Sequence, residues 1–266
     1  MNDRVDTAIA PFVRRDADAR GVVTLTLDRP HSFNALSEGM LAALQAELDA
    51  IAVDESARAV VIAATGKAFC AGHDLKEMRA TPSQAYYEAL FARCAAMMLT
   101  IQRLPVPVIA RVQGIATAAG CQLVAACDLA VAADSARFAV SGVNLGLFCS
   151  SPSVPLVRNV ARKPAFEMLV TGEFISADEA RARGLVNRVA PMEALDGAVE
   201  SLVAAIVAKP RAALALGKAL FYRQIERGSE AAYEDAARTM ARNMMEPDTL
   251  EGVQAFIDKR KPAWPS

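Results

Sequence analysis

The chain has 266 residues, 53% of them hydrophobic, enough to bury a sizeable core as one substantial domain or as a domain with an appendage. Its 29 basic and 30 acidic residues leave a net charge of −1 and are interspersed, which excludes the broad basic footprint that nucleic acid demands. Apolar runs break at charge or proline well short of the roughly 18 to 20 residues of a membrane span, and the five cysteines and two histidines lack zinc-site spacing, so neither a membrane nor a metal is expected.

The start, MNDRVDTAIAPFVRRDADAR, mixes acids with arginines and has no apolar segment after a basic patch. It does not read as a signal peptide, and a cytoplasmic location is expected. Residues 21–27 (GVVTLTL) alternate as a strand, broken by Asp28, Arg29 and Pro30. A capping Ser37 with an early Glu and helically spaced apolar residues predicts the next helix. Residues 59–64 (AVVIAA) form a short buried strand ending at Thr65 and Gly66. A long amphipathic helix over 83–103, a strand over 106–112 and a small-residue turn over 114–120 repeat the pattern. Strand, small-residue turn and helix in repetition predict an α/β fold whose loops carry the chemistry. After residue 193 only helices are expected, with Lys209-Pro210 and Gly228 as breaks. The chain therefore divides into a core, 1–195, and a helical region, 196–266, whose apolar faces are expected to pack on a sister subunit. The cysteines, at 70, 94, 121, 127 and 149 among small or apolar residues, read as reduced, packed thiols.

Two constellations carry the chemistry. Gly66–Leu75 (GKAFCAGHDL) and Gly114–Leu123 (GIATAAGCQL) each place small residues after a strand, where a ligand can approach the backbone closely. If the amides of His73 and Ala119 point at one spot, they form an oxyanion hole, and a helix starting near Ala119 adds its positive end. Acyl-thioester chemistry needs such a pair because the carbonyl oxygen gains charge as an enolate or tetrahedral species forms. No Gly-x-Ser-x-Gly elbow and no Gly-x-Gly-x-x-Gly occurs, which excludes the serine-hydrolase and dinucleotide readings.

The strings LDRPHSFNAL, KAFCAGHDLKEM and GIATAAGCQLVAACDLAVAADSARFAV resemble, in order, the three signatures of the crotonase (enoyl-CoA hydratase/isomerase) superfamily. The likeness runs from about Gly21 to the closing FIDKRKPAW. It implies a spiral of β-β-α repeats with a C-terminal helical region, usually a homotrimer or dimer of trimers. It also implies an acyl-CoA thioester as partner, a place in fatty-acid metabolism, and coenzyme A present only as part of the substrate rather than as a bound cofactor. The family's oxyanion amides carry over to His73 and Ala119, the latter replacing a common Gly but keeping its N–H. The CoA moiety is expected along the loop carrying His31 and beside Ala71, with its phosphates near Lys67, Lys259, Arg260 and Lys261.

The chain departs from the family's hydratases at both acid–base positions. The first glutamate falls on Gln122, which can orient a water but cannot take its proton, and the second on Gly142, which has no side chain. Ser141, Asn144, Cys149, His73 and Asp74 lie near enough in sequence to substitute. For each the structural reading comes first: Cys149 a packed thiol, His73 a residue whose amide matters, Asp74 the cap of a helix beginning at Leu75. Phe69 and Phe148 are expected to pack, and Tyr86, Tyr87, Met97 and Met98 to be core rather than acyl pocket. Three readings follow: an acyl-CoA enzyme of isomerisation, thioester hydrolysis or decarboxylation; a non-catalytic acyl-CoA-binding protein; and a hydratase whose base is Asp74 or Glu77.

Overall fold

The structure, a computed structural model, describes residues 11–264; residues 1–10, half of the N-terminal segment discussed above, lie outside it, as do 265 and 266. In chain order the elements are β1 (Val13–Ala17), β2 (Val22–Leu27), α1 (Glu38–Ala52), β3 (Ala59–Ala64), β4 (Ala68–Cys70), α2 (Leu75–Ala80), α3 (Gln84–Arg103), β5 (Val108–Val112), β6 (Ile115–Thr117) and α4 (Ala119–Ala126). There follow β7 (Leu129–Ala133), β8 (Arg137–Ala139), α5 (Ser150–Asn159), α6 (Arg162–Thr171), β9 (Ile175–Ser176), α7 (Ala177–Ala182) and β10 (Arg188–Ala190). The end is helical: α8 (Leu195–Val207), α9 (Arg211–Gln224), α10 (Ser229–Met244) and α11 (Pro247–Ile257). Among the described residues, no helix is long and apolar enough to cross a membrane.

The strands form two sheets. The large one runs β1-β2-β3-β5-β7-β10 and the small one β4-β6-β8-β9. At β3-β4, β5-β6 and β7-β8 the chain lays one strand in the large sheet, the next in the small sheet, and then a helix, as expected of β-β-α repeats, whereas β1 and β2 both lie in the large sheet. β3, β5 and β7 pair in parallel, which buries both faces and explains why AVVIAA reads as an unbroken apolar run. Alternate residues then serve opposite cores: Val60, Ile62, Val108 and Ala110 face the main core, while Val61, Ile109 and Val131 face α8. Leu195, Val199 and Val203 supply the α8 side of that second core. Each such burial contributes about 1.5–3 kcal/mol, so α8 is held to the sheet by its own apolar stripe.

The expected Ser37 cap is in place, and the structure adds a serine cap to α3. Ser37 Oγ accepts from the Met40 amide and Ser83 Oγ from that of Tyr86. Pro210 and Gly228, read as breaks, stand immediately before α9 and α10.

α9 is tied to the core by a buried polar knot. Lys218 Nζ donates to Asp128 Oδ2 at 2.6 Å and to the carbonyls of Ile101 and Val106 at 2.9 Å. Tyr222 Oη donates to Asp128 Oδ1 at 2.7 Å, and the Val108 amide to Oδ2 at 2.6 Å. The Lys218 and Asp128 side chains are only 7% and 14% exposed, so neither charge can fall back on water if the other is removed. Lys218→Met should therefore lower unfolding free energy by about 3–5 kcal/mol. Urea denaturation measures it; a loss under about 1 kcal/mol would show that the knot does not hold α9.

Candidate functional site

β4 and β6 are parallel neighbours, Ala68 opposite Ile115 and Cys70 opposite Ala116. Their C-terminal ends carry His73 and Ala119. The two ends approach as closely as backbone allows. A Cβ on Gly120 would overlap the Cys70 carbonyl oxygen, and one on Gly114 that of Lys67. A Cβ on Gly72, whose φ is +91°, would lie 2.9 Å from Ala118 Cβ and 3.3 Å from the Ala119 nitrogen. Glycine is required at these contacts, and it brings the residue before His73 against the amide of Ala119.

Neighbouring amides are engaged: Leu36 N–H donates to Gly72 O, Ala71 to Phe33 O, Ala118 to Ala139 O and Gln122 to Ala118 O. Among the described residues the amides of His73 and Ala119 have no hydrogen-bond acceptor. Ala119 opens α4, all eight residues of which are buried, so its N–H belongs to the unpaired first turn of a buried helix. Two such amides can hold an oxygen that gains negative charge. Ala118, between the strand and the helix, has φ +51° and ψ −121°, a conformation that costs a side-chain-bearing residue about 1–3 kcal/mol.

A cavity of about 380 Å³ opens beside these residues. His73, Ala71, Ala118 and Ala119 form one wall; Leu75, Met78 and Phe91 form an apolar side; Ser141, Gly142, Leu145, Leu147, Phe148 and Cys149 close the other. Among the described residues, no Asp, Glu, Lys or Arg lines it.

The surroundings of Gly142 and Gln122, where the resemblance leads one to expect glutamates, have their own geometry. A Cβ on Gly142 would overlap the Leu147 carbonyl oxygen and lie 2.8 Å from Cys149 Sγ. The 143–149 loop folds onto Gly142 and fills the space a glutamate stem would need. Gly142 N–H donates to Cys149 Sγ at 3.3 Å. Gln122 is 3% exposed, its Oε1 has no partner among the described residues, and it does not line the cavity.

The other candidates separate cleanly. Asp74 caps α2, its Oδ1 accepting from the amides of Lys76 and Glu77, and Glu77 Oε2 accepts from the Glu38 amide. Asn144 Nδ2 donates to Gly172 O, away from the cavity. Ser141 Oγ lies 2.8 Å from Thr117 Oγ1. Cys149 lines the cavity while burial pushes its thiol up, an effect the Gly142 amide eases. Phe69 is core, as expected, but Phe148 is a correction: it is 43% exposed and lines the cavity, because the loop that covers Gly142 carries it there. Met97 and Met98 are core and Tyr87 Oη donates to Met78 O; of α3 only Phe91 reaches the cavity.

The His73 imidazole is part of the wall. It meets Phe91 edge-on, with ring centroids 5.4 Å apart, and Nδ1 lies 3.3 Å from Leu36 O. Burial holds its pKa below the ordinary histidine range, with the Leu36 carbonyl opposing, so the ring is neutral at pH 7.

Of the residues expected to meet CoA, Ala71 lines the cavity. His31 and Lys67 are exposed on adjoining loops, for a Cβ on Gly66 would lie 2.7 Å from Pro30 Cβ. Lys259 and Lys261 are exposed beyond α11, which contributes nothing to the cavity wall, and Arg260 between them pairs with Glu251. What the sequence reading missed is the Leu147 carbonyl and the wall of Leu75, Met78 and Phe91; the only available signal was Gly142 itself.

Gly142→Ala should cost about 1–3 kcal/mol of stability, and Gly142→Glu more, through forced displacement of the 143–149 loop. Gly197→Ala, with nothing within 4 Å, is the control and should be neutral or stabilising by about 0.5–1 kcal/mol. Equal urea midpoints for the two alanine variants would show that the loop yields freely.

Known proteins share this architecture. The enoyl-CoA hydratase/isomerase family matches residues 17–266. Enoyl-CoA hydratase domain-containing protein 3, mitochondrial, of Rattus norvegicus is 45% identical over 244 residues, covering 92% of this chain and 81% of that protein. Its Homo sapiens counterpart is 44% identical, covering 92% and 80%. Strings such as GHDLKE, GVNLGLFCS and KRKPAW point to the same branch. Among solved structures, an enoyl-CoA hydratase of Mycobacterium smegmatis is 69% identical with TM-score 0.95, covering 96% of this chain and all of that one. Human enoyl-CoA hydratase domain-containing protein 3 is 42% identical with TM-score 0.92, covering 95% and all of it. The curated relatives are named mitochondrial, which overturns the cytoplasmic expectation: charge pattern near a terminus does not determine compartment.

Proposed function

From the premise that the chain belongs to the enoyl-CoA hydratase/isomerase family, we propose that it binds an acyl-CoA thioester with the carbonyl oxygen between the His73 and Ala119 amides, and that it does not hydrate by a carboxylate pair. The observation that carries this reading is a cavity beside two free amides with no acidic side chain in its wall. Polarisation by the amides favours enolate-forming chemistry at the acyl chain. The same absence supports a second reading, a non-catalytic acyl-CoA-binding protein. A hydratase based on Asp74 or Glu77 is disfavoured, since both carboxylates are occupied by backbone amides.

Coenzyme A enters as part of the substrate. Its chain would leave the cavity past Ala71 toward the adjoining loops of His31 and Lys67. The remaining helices suggest the assembly. Tyr233, Met240 and Phe256 are 79%, 72% and 85% exposed, so α10 and α11 present apolar side chains for which the described chain offers no cover. We propose a homotrimer or dimer of trimers that covers them. Sedimentation at micromolar concentration should show three or six chains; a monomer would reject the assembly.

Isothermal titration with octanoyl-CoA, beside a crotonyl-CoA hydration assay, tests the function. One thioester per chain should bind, and hydration should run at least about 10²–10⁴ below a two-glutamate family member, the effect of losing one such group. Absence of thioester binding would sink the proposal, and rapid hydration would restore the hydratase reading.

A further inference from the structure

A neutral imidazole in the wall of an otherwise uncharged cavity, attached to the residue whose amide faces the proposed thioester oxygen, has no structural task that uses its second nitrogen. Nδ1 lies 3.3 Å from the Leu36 carbonyl oxygen, which can only accept, so Nδ1 carries the proton and Nε2 carries the lone pair. Nε2 has no partner among the described residues. Burial keeps the ring unprotonated at neutral pH, so the lone pair is available there. The other polar side chains of the wall cannot replace it. Ser141, bonded to Thr117 Oγ1, and Ser150 and Ser151 are hydroxyls, and Cys149 is a thiol held protonated by its burial.

We propose that His73 is a catalytic residue, the base that removes a C2 proton from a bound acyl-CoA. This rests on the thioester site proposed above and adds the group that acts there. In the step, the C2–H bond breaks and its proton passes to Nε2. The electron pair forms the C1=C2 bond of an enolate, and the carbonyl pair moves onto the oxygen held by the His73 and Ala119 amides. Return of a proton from the imidazolium to C2 restores the thioester. When the imidazolium first exchanges with solvent, D₂O leaves deuterium at C2. Atoms and charge balance with water as the only co-reactant. The amide and the base belong to one residue, and the Leu36 carbonyl fixes which nitrogen reacts, so the β4 end positions both halves of the step.

The test is proton NMR of octanoyl-CoA in D₂O with the full chain, following loss of the C2 signal, with octanoyl-CoA affinity measured in parallel. Two variants keep the backbone amide: H73N can still donate to Leu36 O but lacks Nε2, and H73Q places an amide near the Nε2 position without basicity. The parent should exchange C2 hydrogens well above the buffer rate. Both variants should lose about 10²–10⁴ of that rate while binding octanoyl-CoA within about threefold of the parent. A parent that binds octanoyl-CoA without exchange overturns the assignment of His73, and so do variants that exchange like the parent. A parent that fails to bind octanoyl-CoA overturns the thioester site itself, and the base with it.

Discussion

The close contact between the ends of β4 and β6 is the constraint on which the rest of the site depends. Parallel pairing brings Cys70 and Ala116 together, and the next residues continue in contact, with Gly120 against the Cys70 carbonyl and Gly72 against the Ala119 nitrogen. No side chain fits at Gly120, because any Cβ would overlap backbone rather than a flexible group. This closeness brings Gly72, the residue before His73, against the unpaired amide of Ala119. It also accounts for Ala118 at φ +51°: the chain must reverse sharply between β6 and α4, and the buried surroundings hold that reversal in spite of its cost.

Around that contact the electrostatics are set by what is absent from the wall. A carboxylate in a cavity lined by Leu75, Met78, Phe91, Leu147 and Phe148 would bear a desolvation penalty unless paired, and no cation lines the cavity to pair it. The fold instead sets the Leu147 carbonyl against Gly142, where a Cβ would overlap it, and buries a neutral amide at Gln122. Groups that survive in such surroundings are neutral: a desolvated imidazole, a protonated thiol and a hydroxyl pair. The proposed chemistry follows, since a neutral base and two amide dipoles can form and hold an enolate without a buried formal charge at rest.

The scaffold supports this arrangement through two further devices. Asn34, fully buried and at φ +52°, accepts from the Arg29 amide and donates to the carbonyls of Thr65 and Ala68. One side chain thus locks the loop after β2 to the turn between β3 and β4, satisfying three backbone groups, of which the Ala68 carbonyl is engaged in a buried bond. The Asp128 knot does the same for α9, joining the helical end of the chain to the strand β5 that precedes the Ala119 turn. The adjoining His31 and Lys67 loops owe their relative placement to Asn34.

Much of the fold was legible in the sequence, for a local reason. Alternation at 21–27, the apolar run at 59–64 and the caps Ser37 and Asp74 each depend on a few neighbouring residues, and each stands where its pattern placed it. That Gln122 and Gly142 carry no carboxylate is equally plain, because both residues are read directly from the chain. β1 escaped notice since four of its five residues, after Val13, are exposed and polar or small, and it is a strand only because β2 offers it an edge. The cavity was not legible either. Its wall joins residues of the 71–78 turn, α3, the Ala118 turn and the 141–152 segment, which no sequence spacing relates. Only packing in three dimensions could show that Phe91 and Phe148 face the cavity while Met97 and Phe69 face the core, that Leu147 blocks the side chain Gly142 lacks, and that a carbonyl 37 residues away selects the tautomer of His73. Periodicity reports which face of an element is apolar; what that face meets is decided by chain segments brought together by the close approach of two strands.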